Sequence, residues 1–224
     1  MNKVLVIAAH LDDEVLGVGG TIQRHSDAGD EVYVLNVCDR TYEARVDVDM
    51  VFTLRSQAQD VCRLLGIKQL IHGNQPDKYL DRWLVDTVRP IENVMEEIRP
   101  AIVYTHHRGD VNQDHRSVHE ATVVALRSFK APFVRAAYAY EVLSSTEQIP
   151  GGAPSRHFAP NHFVGMTPFQ LVTKQDALSK YASEVQEFPF PRSLKAIEVL
   201  AEYRGLQCGL PLAEAFETIK VVCP

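Results

Sequence analysis

The sequence predicts an α/β fold: a Rossmann-like, doubly wound, mostly parallel sheet with a C-terminal extension of helices and loops. Three observations carry that expectation. Over residues 1–142, short apolar runs of strand length alternate with amphipathic stretches of helical period, and strand–helix units of this kind pair in parallel through right-handed crossovers. The first run, Lys3 to Ala8, is apolar throughout rather than alternating, as a strand covered on both faces must be. The chain has 224 residues, enough to bury about 70% of its unfolded surface in one domain. We therefore expect a single domain over residues 1–224, with 1–142 as the Rossmann-like core and 143–224 as a lid loop and C-terminal extension.

Each element follows from local pattern. Beyond the first strand, Val15, Leu16, Val18 and Ile22 mark a helix that ends near Gly29. Val32 to Val37 reads as the second strand, and Val51 to Leu65 as an amphipathic helix stopped by Gly66. Lys68 to Ile71 is a short third strand, and Gly73, Asn74, Pro76 and Asp77 make His72 to Arg82 a loop. Leu84 to Ile98 is helical, with Pro90 predicting a break or a new start. A fourth strand, Ala101 to Thr105, leads through a polar loop, His106 to Asp114, into a helix over His115 to Phe129. Ala136 to Glu141 is the fifth strand. Residues 144–165, turn-rich around Pro150-Gly151-Gly152-Ala153-Pro154-Ser155, read as a long loop placed as a substrate-site lid. Pro168 to Ser183 and Ser193 to Arg204 read as helices, and Ala215 to Val222 as helix then strand. The Gly17-Val18-Gly19-Gly20 run lacks dinucleotide-binding spacing and lies inside the first helix, so close packing against the sheet is its expected role.

Composition narrows the function. With 23 basic and 29 acidic residues the net charge is −6, which argues against nucleic acid and anionic membrane surfaces as partners. No run approaches the ~18 apolar residues of a membrane span. The apolar N-terminal run ends at His10-Leu11-Asp12-Asp13, which a secretory signal would not carry. Cys38, Cys62, Cys208 and Cys223 show no CxxC spacing and are expected as free thiols in a reducing cytoplasm.

The chemistry is concentrated after two strands. In open α/β sheets, ligands bind beyond the carboxyl ends of the strands, where strand order reverses. The loop after the first strand carries His10, Asp12, Asp13 and Glu14; the loop after the fourth carries His106, His107, Asp110, Asn112, Asp114 and His115. Histidine with carboxylate suits zinc or iron, and three protein ligands with an open position is the catalytic pattern. His10 and Asp13 are three apart across a strand-to-helix turn, so both face one ion, and His115 supplies a third ligand. Asp12 is then left beside the metal, where a general base for bound water must be. Two other readings stay open. The acidic pair can cap the helix and complement its positive end, a role that suits Glu14. A magnesium site of phosphatase type also uses such a pair, but it prefers oxygen ligands and leaves the histidines unexplained.

Ala9-His10-Leu11-Asp12-Asp13-Glu14 resembles the AHPDDE motif of the LmbE-like, or PIG-L, zinc-dependent deacetylases, and Asn112-Gln113-Asp114-His115 resembles their second motif, which ends in Asp-His. Arg55, followed by a helix ending Leu64-Leu65-Gly66-Ile67, is similar to the family's arginine helix, and Ala213-Glu214-Ala215-Phe216 to a common C-terminal feature. The resemblance implies His10, Asp13 and His115 as ligands of Zn2+ (Fe2+ or another divalent transition metal being the alternative) and Asp12 as the base. It implies hydrolysis of an N-acetyl group on an amino sugar or sugar conjugate, in a protein that self-associates as a homo-oligomer. Leu11 stands where the family has proline. Asn112 stands where many members have histidine, and it is expected to stabilise the oxyanion without delivering a proton. Asp114 is expected to orient a histidine, Arg55 to bind substrate or to pair with Glu14, and Asp110 to border the pocket. The pairs Tyr42/Arg45 and Tyr79/Trp83 are candidates to stack on sugars. An amidase for a larger acyl group and a non-catalytic metal- or carbohydrate-binding protein are the competing functions.

Overall fold

The computed structural model of the protein describes residues 1–39, 48–152 and 156–223. Its seven-stranded sheet runs in the order β3-β2-β1-β4-β5-β7-β6. The strands are β1 (Lys3–Ala8), β2 (Glu31–Asp39), β3 (Gln69–Pro76), β4 (Ile102–His106), β5 (Ala136–Tyr140), β6 (His162–Gly165) and β7 (Ala213–Val221). The first five pair in parallel, and β7 lies antiparallel to both β5 and β6. Strand order reverses between β1 and β4, which are neighbours through Val4↔Ile102, Leu5↔Val103 and Val6↔Tyr104. The crevice that the rule for open sheets assigns to ligands is therefore above these two strands.

The helices are α1 (Asp13–Asp27), α2 (Val48–Leu65), α3 (Leu84–Ile98), α4 (Gln113–Ala125), α5 (Pro168–Lys180) and α6 (Leu194–Cys208). Successive side chains of β1 go to opposite faces, and the core divides accordingly. Val4 and Val6 pack with Leu16 and Ile22 of α1, Val61 and Leu65 of α2, Leu178 of α5 and Ile197 of α6. Leu5 and Ile7 pack with Ile91, Met95 and Ile98 of α3 and with Val118 and Ala121 of α4. Burial on both faces explains why β1 has no polar position between Val4 and Ala8.

Several elements depart from the sequence pattern. Pro90 does not interrupt α3, which runs unbroken from Leu84 to Ile98. Proline removes one backbone hydrogen bond, but Thr87, Ile91, Val94, Met95 and Ile98 bury one continuous face across it, and that packing prevails. β3 continues past Ile71 to Pro76, taking up the start of the expected loop. Within the expected lid, His162–Gly165 is a strand, and residues 153–155 of that loop lie outside the described residues. Ala213–Val221 is strand throughout, with no helix at its start. Its Ala and Glu residues favour helix, yet pairing with β5 and β6 on both sides decides the outcome. No helix among the described residues is long and apolar enough to cross a membrane.

Contacts from β5, β7, α5 and the residues just before α5 explain the glycines of α1. A Cβ on Gly17 would sit 2.2 Å from Cδ2 of Tyr140, and one on Gly20 would collide with Met166 Sδ. Glu214 of β7 accepts hydrogen bonds from the backbone N–H groups of Gly20 (2.9 Å) and Thr21 (2.7 Å). Lys174 Nζ donates to Glu214 (2.6 Å) and to the Leu16 carbonyl (2.9 Å). A buried ion pair is thus set against the side of the helix, while Gly17 and Gly20 leave room for Tyr140 and Met166.

Candidate active site

β1 ends at Ala8, and the chain turns into α1 through His10 and Asp12. The turn is strained: Asp12 has φ 122° and ψ −27°, a region that non-glycine residues rarely occupy and that costs roughly 1–3 kcal/mol. It is held by its hydrogen bonds. The Asp12 carbonyl accepts from Val15 N–H (3.0 Å) and Leu16 N–H (2.9 Å), and its own N–H donates to Glu14 Oε2 (3.1 Å). Glu14 Oε1 in turn accepts from the Tyr181 hydroxyl (2.7 Å). Glu14 thus braces the turn, and burial pushes its carboxyl up to about 7.

Asp13 is the centre of the site. Its Oδ2 accepts from His10 N–H (2.8 Å) and lies 3.3 Å from His10 Nδ1, 3.3 Å from His115 Nε2 and 3.4 Å from His106 Nε2. His115 enters from the first turn of α4, and His106 from the end of β4. Ligand atoms of His10, Asp13 and His115 all lie within 4.8 Å of one another. This is the set that sequence spacing singled out, and its donors match a divalent transition ion. A second group, His10, Cys38 and Asp114, shares His10 with the first; burial pushes the Cys38 thiol up to about 11.

Each histidine ligand candidate has a carboxylate on its far nitrogen. His10 Nε2 is 3.2 Å from Asp114 Oδ2, and His115 Nδ1 is 3.2 Å from Asp110 Oδ2. The Asp114 carboxylate also accepts from the backbone N–H of Lys78 (2.6 Å) and Leu80 (3.4 Å). Asp110 accepts from Ser145 Oγ (2.9 Å), Thr146 Oγ1 (2.6 Å) and the Asn112 N–H (2.8 Å). Carboxylates so placed fix the ring orientation of a ligating histidine. Electrostatics follow. Burial is the largest influence on Asp13 and opposes its charge, but His115, His106 and His10 together outweigh it and hold the carboxyl well below its ordinary value. Burial likewise opposes charge on His115, while Asp13 and Asp110 lift it to about 9. Burial keeps His106 well below the ordinary imidazole value, so it is neutral; its Nε2 accepts from Ala9 N–H (2.9 Å), and its ring stacks on His115 with centroids 4.0 Å apart.

Asp12 is buried beside this cluster with its Oδ2 2.9 Å from Arg192 Nη1. Arg192 also reaches Glu184 Oε2 (2.8 Å) and Ser144 Oγ (2.8 Å). Burial, then the neighbouring charge of Asp13, pushes the Asp12 carboxyl up to about 8 against the pull of Arg192.

The structure thus brings together His10, Asp12, Asp13, Asp114 and His115. Asp110 is 0% exposed and faces His115. Asn112 is the N-cap of α4, its Oδ1 accepting from Asp114 N–H at 2.9 Å. Arg55 Nη2 donates to Asn74 Oδ1 of β3 (2.9 Å), whereas Glu14 is held by Tyr181. His106 joins the cluster, whereas His107 bonds Glu217 and the Arg156 carbonyl and His162 stacks on Tyr138. Tyr42 and Arg45 lie outside the described residues. Sequence reasoning missed Arg192, Glu184, Ser145 and Thr146, which lie in segments without a motif.

A family model described as PIG-L, GlcNAc-PI de-N-acetylase, matches residues 5–126, a span that contains both histidine–carboxylate loops. The chain belongs to the PIG-L deacetylase family. An uncharacterized deacetylase of Escherichia coli K12 is 30% identical over 130 residues, 56% of this chain and 68% of that one. A 1D-myo-inositol 2-acetamido-2-deoxy-alpha-D-glucopyranoside deacetylase of Kineococcus radiotolerans is 29% identical over 161 residues, 56% of this chain and 45% of that one. A probable N-acetyl-alpha-D-glucosaminyl L-malate deacetylase of Bacillus cereus is 29% identical over 136 residues, 56% of this chain and 61% of that one. The fold matches the N,N'-diacetylchitobiose deacetylase of Pyrococcus horikoshii with a TM-score of 0.77 at 21% identity, over 97% of this chain and 84% of that one. It equally matches the 4-carboxy-2-hydroxymuconate hydratase of Pseudomonas putida KT2440, TM-score 0.75 at 19% identity over 100% and 98% of the two chains. The PIG-L scaffold alone therefore does not fix the reaction; the site must.

Proposed function

We propose that this PIG-L chain hydrolyses the acetamide of an N-acetylated amino sugar or sugar conjugate, with His10, Asp13 and His115 holding a divalent metal, zinc foremost, and Asp12 acting as general base. The observation that carries the reading is the convergence of those three ligand groups within 4.8 Å, with Asp12 buried next to them and outside the ligand set. A divalent ion bound there would acidify a water and polarise the acetyl carbonyl.

The chain's own residues do the rest. Asp114 and Asp110 hold the His10 and His115 rings by their far nitrogens, so that the near nitrogens face Asp13. Asp12 takes the proton of the attacking water on a carboxylate oxygen and returns it to the departing amine nitrogen. Arg192, pairing with Asp12 and Glu184, keeps the base oriented. Asn112 spends its carbonyl on the cap of α4, which leaves its amide N–H2 as the group able to donate to an oxyanion. Arg55, on α2 and bonded to Asn74 of β3, is a candidate contact for the sugar. The buried free thiols Cys38 and Cys62 suit a cytoplasmic location.

The test is acetate release from a panel of N-acetylated sugars by zinc-loaded protein. Asp12→Asn is expected to lower the rate roughly 10²- to 10⁴-fold, the usual contribution of a general base, with metal content unchanged by elemental analysis. Full activity in a metal-replete Asp12→Asn protein would remove Asp12 from that role.

A further inference from the structure

The expected pair Tyr79/Trp83 does not belong to the core: Trp83 is 70% exposed. It stands at the mouth of a groove of about 350 Å³ formed by Gln75, Pro76, Tyr79, Arg82, Trp83 and Asp86, with Leu80 and Thr87 as its floor. The groove opens beyond the end of β3, on the same edge of the sheet as the catalytic loops.

Three observations mark it as a ligand surface. First, Trp83 is the N-cap residue of α3 and makes no side-chain capping hydrogen bond. Serine, threonine, aspartate or asparagine would stabilise that position, and tryptophan does not; a broken local rule with no gain in packing is the signature of a functional residue. No ring or cation packs on its indole among the described residues, whereas the guanidinium of Arg82 covers Tyr79 at 5.0 Å. Second, the indole and phenol are bordered by an amide (Gln75), a carboxylate (Asp86) and a guanidinium (Arg82). An apolar face with a few polar groups at its edge suits a ring with C–H faces and equatorial hydroxyls. Third, the loop is tied to the catalytic centre. Leu80, on the groove floor, donates its N–H to Asp114 (3.4 Å), Lys78 N–H donates to the same carboxylate (2.6 Å), and Gln113 Nε2 donates to the Lys78 carbonyl (2.7 Å). Asp114 is the residue that faces His10. The groove therefore begins two hydrogen bonds from the metal-ligand cluster.

We propose that this groove is a second sugar subsite: it stacks the pyranose ring next to the acetamido sugar on Trp83, with Asp86 and Gln75 bonding its hydroxyls, so that the preferred substrate is a disaccharide or longer glycoside. This deepens the deacetylase reading and rests on it for the position of the first ring.

The chain has one tryptophan, so its emission reports this groove alone. Metal-stripped protein is titrated with N,N'-diacetylchitobiose and, separately, with N-acetylglucosamine, following tryptophan fluorescence. A saturable blue shift with the disaccharide, at least tenfold tighter than with the monosaccharide, is expected. By calorimetry on the same metal-stripped protein, Trp83→Phe retains disaccharide binding, while Trp83→Ala and Asp86→Ala each lose tenfold or more. An emission unmoved by the disaccharide, or equal affinity of Trp83→Ala and wild type, overturns the subsite. Acetate release from N-acetylglucosamine by loaded enzyme with unmoved tryptophan emission would sink the subsite and keep the deacetylase. A saturable shift without acetate release from either sugar would keep the subsite and sink the deacetylase.

Discussion

Two carboxylates with the same apparent place in the sequence, Asp110 and Asp114, serve different histidines. Asp114 faces His10 across the crevice, and Asp110 faces His115 one turn away. If each holds its ring for metal binding, Asp110→Asn and Asp114→Asn should each weaken metal affinity about 10- to 100-fold, measurable by competition against a chromogenic chelator. Unchanged affinity in Asp110→Asn would mean that Ser145, Thr146 and the α4 cap position His115 without it. At this scale the sequence was informative where side-chain chemistry is unusual. A histidine and two acids after a buried strand have no use in a core, so His10, Asp12 and Asp13 stood out. Arg192 carried no such sign, because an arginine among surface-like residues looks the same whether it meets solvent or Asp12.

At the scale of elements, α1 shows how a helix can be shaped by what is pressed into it. Gly17→Ala is expected to destabilise the fold by roughly 1–3 kcal/mol, the usual effect of overpacking, because its Cβ would displace the Tyr140 ring. The Tyr140 hydroxyl donates to the Ile7 carbonyl at 2.9 Å and meets His106 Nε2 at 3.1 Å, so the disturbance reaches the site. Urea denaturation would measure it, with Gly19→Ala as the milder comparison, since there the near atom is the flexible Lys174 side chain. Lys174→Met should cost about 3–5 kcal/mol by leaving Glu214 buried without its cation; a loss below ~1 kcal/mol in the same assay would mean that the pair does not hold α1. The parallel strands were legible because burial on both faces writes a continuous apolar run. β6 and the start of β7 were not. Four residues after a proline-rich stretch give β6 no period to read, and β7 opens on Ala213, Glu214 and Ala215, helix-forming residues whose strand state depends on partners about 50 positions away.

For the whole molecule, metal and stability should be linked. An ion present at one hundred times its dissociation constant adds about 2.7 kcal/mol to a fold that alone can bind it, equivalent to about 5–10 °C in midpoint for a chain of this size. Calorimetry of chelated and zinc-reloaded protein should show that rise, and Asp13→Ala should abolish it. Identical midpoints would count against an ion at the His10–Asp13–His115 cluster. Alternation of strands and helices and a site after the first and fourth strands were readable because chain connectivity and handedness leave few alternatives. What lies over the crevice was not, since it is built by residues far apart in the chain. The match to the family model stops at residue 126, yet Asp12 is gripped by Arg192 and Glu14 by Tyr181. Relatives can therefore share both histidine–acid signatures letter for letter and still differ in reactivity, because divergence in the final quarter of the chain is enough to re-aim the base.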